Sequence, residues 1–178
     1  MSICGEWSAG WAVIGTIAAV SILSACHSGP ARSADPELST IGVRETLTAL
    51  HRHASDANEP AYFALFADDA IFLGTDASER WTKAAFQAYA HPYFSQGKGW
   101  TYREVRTDVA IDGVYAWFDQ ELANDKYGPC RGSGVLRLER VGGTPTWRIV
   151  QYNLSVLIPN ELMLEVAERI KTTRPGSR

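Results

Sequence analysis

The side chains able to do chemistry in this chain are carboxylates and amides at alternate positions. Asp119 and Glu121 stand two apart in a run that reads as a strand, so both leave the same face. Asp76, Glu79 and Arg80 lie in the polar stretch TDASERW, residues 75–81. Burial can raise a carboxylate's pKa toward neutrality and make it a general base. Asp119, Glu121 and Asp76 are therefore the catalytic candidates. Their blander roles are a pair of solvated acids facing Arg131 or Lys126, and a loop cap beside a Glu79–Arg80 ion pair. Gln151, Asn153 and Ser155 alternate late in another strand. Amides donate and accept but do not titrate near neutral pH, so these suit recognition better than proton transfer.

Metal chemistry finds no support. His51 and His53 are two apart on a helix and do not share a face, and His91 precedes Pro92. The cysteines fall at 4, 26 and 130 with no zinc spacing. Cys130 reads as a buried thiol, and no metal or cofactor is expected.

The strand carrying the amides is the second arm of a hairpin, Cys130–Pro159, turned at Gly142-Gly143. Strict alternation puts Trp147, Ile149, Gln151, Asn153 and Ser155 on one face. Arg148, Val150, Tyr152, Leu154 and Val156 share the other, which is apolar nearly throughout. Upstream, Ser39–His53 reads as a helix with an apolar stripe of Val43, Leu47 and Leu50. Asn58-Glu59-Pro60 opens a short helix that Asp68-Asp69 ends, and residues 70–74 form a short strand. Thr82 caps a third helix carrying Phe86, Tyr89, Tyr93 and Phe94. Strands over 100–111 and 114–122 meet at Asp112-Gly113. Residues 160–171 suit a C-terminal helix. Helices segregated against one antiparallel sheet indicate an α+β fold.

The 178 residues are 46% hydrophobic and 21% charged with a formal net charge of -3, which suits one globular domain with a real core. No basic block exceeds a pair, and no nucleic-acid partner is expected. Residues 1–25 carry one charge, Glu6, and close on Leu23-Ser24-Ala25-Cys26. This resembles a bacterial lipoprotein signal, which implies removal of 1–25 and a lipidated Cys26. The n-region departs from that pattern in having no Lys or Arg. An uncleaved anchor is the alternative, since the run approaches the roughly 20 residues that span a bilayer. Residues 26–38 then form the lipidated Cys and a flexible tether, 39–172 the domain, and 173–178 a tail. His27 after Cys26 points to the outer membrane, with the domain facing the periplasm.

Leu65-Phe66-Ala67-Asp68-Asp69-Ala70, Ala116-Trp117 and Trp147–Ser155, in that order and spacing, resemble the SnoaL-like, nuclear transport factor 2-like superfamily. The resemblance spans about residues 40–158. It implies a cone of curved antiparallel sheet closed by three helices, here with a C-terminal helix added. It also implies that Trp147, Ile149, Gln151, Asn153 and Ser155 line the cone, together with Trp117, Asp119 and Glu121 and with Gly132, Gly134 and Leu136. The outer face, with Val150, Tyr152, Leu154 and Val156, would then make a homodimer. Ketosteroid isomerase, in the same superfamily, has an aspartate base whose position falls here on Gly74. Its protonated aspartate matches Gly134, and residues 39–56 contain no Tyr. Steroid isomerisation is therefore not expected. Tyr62, Phe66, Trp81 and Tyr89 complete the expected pocket. The leading expectation is a lipid-anchored envelope protein whose cone binds a small, partly hydrophobic molecule. An isomerase-, cyclase- or hydrolase-like enzyme using an inward carboxylate is the alternative, and a non-catalytic interaction module is a third.

Overall fold

A computed structural model describes residues 39–173. The leader, Cys26, the tether and residues 174–178 lie outside the described residues. The first helix, α1 (Thr40–Ser55), starts where Ser39 accepts a hydrogen bond from the Ile41 N–H at 3.1 Å. It buries Val43, Leu47, Leu50 and Ala54, the expected stripe plus one turn. Helix α2 (Glu59–Ala64) is capped by Asn58 and has Pro60 in its first turn. Strand β1 (Phe66–Leu73) follows and contains Asp68 and Asp69, which do not end a helix as expected. Both point outward, Asp68 to Lys83 at 2.9 Å and Asp69 to Arg137 at 2.9 Å.

A three-residue strand, β2 (Arg80–Thr82), returns along β1, and Thr82 caps α3 (Lys83–Phe94). Four long strands complete the sheet: β3 (Arg103–Asp112), β4 (Tyr115–Asn124), β5 (Gly128–Val141) and β6 (Thr144–Val156). Gly113, Gly142 and Gly143 hold the positive φ that these tight turns require. The order across the curved sheet is β2-β1-β6-β5-β4-β3. β1 runs parallel to β6, so the sheet is mixed where a purely antiparallel one was expected. A 3-10 turn (Asn160–Leu162) leads into α4 (Met163–Thr173), which buries none of its residues. Among the described residues no helix is long and apolar enough to cross a membrane.

One residue decides which side chains enter the core. Val135 pairs with Gln151 and Leu136 with Ile149, so Val150 is an extra residue in β6, a β-bulge. Side chains alternate with period two, and one inserted residue exchanges the faces from that point onward. Before the bulge Trp147 and Ile149 are buried. After it the inward residues are Tyr152, 3% exposed, and Leu154, while Gln151 is exposed. The expectation that Gln151, Asn153 and Ser155 line the interior is thereby corrected.

β4 is corrected as well. Ala116, Phe118, Gln120 and Leu122 are buried, and Trp117, Asp119 and Glu121 are exposed on the outer face. Burying Asp119 and Glu121 would strip both charges of water without a partner, whereas this phase leaves them solvated. The outer face consequently differs from the apolar one expected. Tyr152 and Leu154 have left it, and Asp119, Glu121, Gln151 and the Arg137–Asp69–Glu139 ion pairs occupy it.

Candidate active site

The helices cover the inner face of the sheet, and aromatic rings fill the space between them. Tyr62 sits among Phe63, Phe66, Phe86, Phe94 and Trp100 at centroid distances of 5.0–6.1 Å. Phe72 stacks on Phe86 at 3.8 Å and on Tyr152 at 5.7 Å. Trp81 stacks on Tyr89 at 4.6 Å. The packing is incomplete at one end. A cavity of about 200 Å³ remains, walled by Phe72, Trp81, Phe86, Tyr89 and Trp100. Tyr102, Tyr127 and Leu154 close the side toward the sheet, and Gly74, Thr75 and Glu79 form the lip. A smaller chamber of about 20 Å³ adjoins it and shares Phe72, Trp100, Tyr102 and Leu154. His51, Tyr62 and Tyr152 line the chamber's far end. A second, larger pocket of about 510 Å³, bearing Lys98 and Lys126, shares Tyr89, Trp100, Tyr102 and Tyr127 with the aromatic cavity.

Glu79 contributes the carboxylate of the main cavity. A Cβ built on Gly74 would lie 2.1 Å from Glu79 Oε2, so the glycine leaves the space that this carboxylate fills. The Asp76 N–H donates to the same oxygen at 3.1 Å and holds it in place. Asp76 itself accepts from the Ser78 N–H and hydroxyl at 2.9 and 2.6 Å, an Asx-type turn that shapes the loop. Gly74 is the position at which the superfamily comparison found a base missing. Space there is filled by an acid from five residues along the chain.

Burial keeps the Tyr62, Tyr89, Tyr102 and Tyr152 phenols neutral. Burial chiefly pushes Tyr102 up to about 12, with the Cys130, Tyr127 and Glu79 charges adding to it. Burial likewise raises Tyr62 and Tyr152, and more weakly Tyr89. His51 is lowered, because burial outweighs the hydrogen bond to Gln120 and the charge of Glu104. A directional chain fixes its ring. His51 Nε2–H donates to Gln120 Oε1 at 2.9 Å, and Gln120 Nε2 donates to Thr107 Oγ1 at 3.0 Å. Thr107 in turn donates to Glu104 at 2.6 Å. Gln120 is fully buried and spends both ends of its amide on this chain. The site can thus offer neutral hydrogen-bond donors inside and one acceptor carboxylate at the lip.

The residues expected from sequence divide into three groups. Trp81 and Tyr89 line the main cavity and Tyr62 the small chamber. Phe66, Leu136 and Trp147 are buried packing residues, 1%, 0% and 5% exposed. Trp117, Asp119, Glu121, Gln151, Asn153 and Ser155 do come together, but on the outer face of the sheet. There Asp119, Ser133 and Asn153 stand in register, as do Glu121, Arg131 and Ser155. Sequence reasoning missed Phe72, Trp100, Tyr102, Tyr127, Tyr152, Leu154 and His51 as cavity residues. The apolar run of Tyr152 and Leu154 was the available signal. Among the described residues no three His, Cys, Asp or Glu side chains gather as a metal site.

A curved sheet wrapped on helices, with an aromatic cavity between them, defines a cone-type α+β domain. The SnoaL-like domain profile matches residues 43–159, and the chain belongs to that family. No curated protein matches. Among solved structures, a nuclear transport factor 2-like protein of unknown function from Pseudomonas putida KT2440 is 18% identical. It aligns with 70% of this chain and 92% of its own at a TM-score of 0.55. A cystatin-like fold protein from Burkholderia xenovorans LB400 is 17% identical over 71% and 97% of the two chains, TM-score 0.56. A dehydratase candidate of the nuclear transport factor 2-like family from Streptomyces avermitilis is 10% identical over 70% and 100%, TM-score 0.56. At these identities the likeness is one of fold.

Proposed function

We propose that this SnoaL-like domain binds a small, flat, largely apolar molecule in the aromatic cavity beside α3, and that a lipid on Cys26 holds it in the cell envelope, facing the periplasm. The observation that carries the binding reading is the cavity of about 200 Å³ with five aromatic rings on its main wall. Apolar walls with a few placed polar groups are the usual make-up of a small-molecule site. Trp81 and Trp100 in the wall report occupancy directly. Small ring compounds are expected to quench tryptophan fluorescence and raise the melting temperature. A ligand at a hundred times its Kd stabilises by about 2.7 kcal/mol. A ring-compound panel that does neither sinks the reading.

Glu79 favours a second reading, in which the bound molecule also loses a proton. Its carboxylate sits at the cavity lip against Gly74, within electrostatic reach of Tyr89 and Tyr102. Glu79 replaces Asp119, Glu121 and Asp76 as the base to test. Glu79→Gln would abolish turnover of a substrate while leaving its binding intact. The anchor rests on the leader sequence alone. Cys26→Ala should leave the precursor unprocessed and free of acyl chains, and normal processing of that variant would remove the claim. A homodimer through the outer sheet face would now centre on Trp117, 51% exposed. Sedimentation of Trp117→Ala against the parent chain tests it.

A further inference from the structure

Tyr152 is 3% exposed, yet among the described residues nothing hydrogen-bonds its hydroxyl. Its oxygen is not sealed off, since among the described residues the buried side-chain nitrogens and oxygens without a partner are Trp147 Nε1 and Arg148 Nε, so the hydroxyl is a free donor that a small molecule can reach. The ring is firmly placed, stacked on Phe72 at an interplanar angle of 6° and tilted on Phe118 at 5.8 Å. Its hydroxyl lies over Gly132, where a Cβ would approach to 2.4 Å, and Tyr152 is one of the residues lining the small chamber. Tyr102 lines the same chamber, and its hydroxyl likewise has no hydrogen bond to the described residues. The chamber therefore presents two uncommitted phenols.

Size and charge narrow what could meet them. About 20 Å³ suits one oxygen, since a water needs about 10–15 Å³, and it is far too small for a ring. The adjoining cavity of about 200 Å³ suits a single ring, because a cavity of about 150 Å³ takes up benzene. No formal charge lines the chamber: its titratable side chains are the buried phenols of Tyr62 and Tyr152, the half-buried phenol of Tyr102 and the imidazole of His51. A carboxylate or ammonium placed there would lose its water without gaining a counter-charge.

We propose that the chamber is the polar end of the ligand site, where Tyr152, with Tyr102 beside it, hydrogen-bonds one uncharged oxygen of a single-ring ligand. That oxygen is a ketone carbonyl or a phenol hydroxyl, and the ring lies against Phe72, Trp81 and Trp100. The inference rests on the reading that the cavity binds a flat apolar molecule.

The test compares phenol and acetophenone with toluene and benzoate on the purified full chain, by calorimetric titration. Each ligand is measured on the parent chain, Tyr152→Phe and Tyr102→Phe, so that differences in ligand hydration cancel. Loss of one neutral hydrogen bond should weaken phenol and acetophenone by about three- to tenfold in Tyr152→Phe and leave toluene within twofold. The variant should melt no lower than the parent, because the hydroxyl it removes bonds nothing in the protein. If toluene binds and both variants leave phenol and acetophenone within twofold, the oxygen site is wrong and the cavity reading stands. Benzoate binding more tightly than phenol would also overturn it. If toluene, phenol and acetophenone all fail to bind, the cavity reading falls and takes this inference with it.

Discussion

The bulge at Val150 splits β6 into two phases, and an alanine scan from 147 to 154 reads that split directly. Trp147, Ile149 and Tyr152 are 5%, 0% and 3% exposed, and Gln151 is exposed. Truncating a buried aromatic costs about 3–5 kcal/mol and a buried isoleucine about 2–5 kcal/mol. Leu154 is half-buried and should cost roughly half of a full Leu→Ala loss, about 1–2.5 kcal/mol. Gln151→Ala should stay within about 0.5 kcal/mol, as exposed sites do. With a urea slope of about 2 kcal/mol per molar, Tyr152→Ala would lower the unfolding midpoint by about 2 M, and Gln151→Ala would barely move it. Gly134→Ala probes the bulge from β5. Its Cβ would stand 2.0 Å from the Gln151 carbonyl oxygen, a backbone atom that cannot swing aside. It should cost at least the roughly 1–3 kcal/mol of ordinary overpacking. An unbroken alternation, with large losses at 147, 149, 151 and 153 and a small one at 152, would refute the bulge and every inward assignment built on it.

Stability should fall as pH drops below about 6.5, the ordinary His51 value, because the folded state holds this ring neutral while the unfolded chain takes up a proton. Denaturation midpoints from pH 7.5 to 5 should show that decline and show it flattened in His51→Gln; identical slopes would contradict the assignment. Gly74→Ala should cost about 1–3 kcal/mol by displacing Glu79, and Glu79→Ala in the same chain should recover on the order of 1 kcal/mol. Strict additivity of the two changes in a double-mutant cycle would show that Glu79 does not fill that space. Cys130 is fully buried and its thiol is pushed up by burial. It should resist thiol reagents at neutral pH until the chain unfolds, and rapid native-state labelling would count against its placement.

The order of elements was legible because its signals are local. Ser39 and Thr82 cap helices where the pattern places them, and Asp112-Gly113 and Gly142-Gly143 turn the hairpins. The cavity was less legible. β4 did carry the right signal: Ala116, Phe118 and Leu122 alternate against Asp119 and Glu121, and elementary desolvation favours the apolar set as the buried one. The superfamily resemblance implies the opposite phase, with Trp117, Asp119 and Glu121 inward, and the buried set is the apolar one. β6 differs, because a single inserted residue has no composition of its own. Its phase depends on the cross-strand partner, which for Tyr152's neighbour Gln151 is Val135 on the adjacent strand. The pattern predicts Trp100 and Tyr102 as strand residues, whereas they precede β3 and line the cavity.

Three glycines record in the sequence what the alternation rule could not. At each, another group occupies the place of the absent side chain: the Tyr152 hydroxyl at Gly132, the Gln151 carbonyl at Gly134 and the Glu79 carboxylate at Gly74. Gly132 and Gly134 lie opposite Leu154 and Tyr152 in β6, so the tolerance for large residues on β6 is matched by their absence on β5. A β5 with side chains at both positions would expel Tyr152 and close the chamber beside it. Gly74 acts in the same way on the cavity lip, where removing one side chain admits a carboxylate from the following loop. Glycine inside a strand signals close approach by a neighbour. Two of these three neighbours, Glu79 and Tyr152, belong to residues that line the cavities, so Gly74, the position of the missing isomerase base, marks where another carboxylate enters.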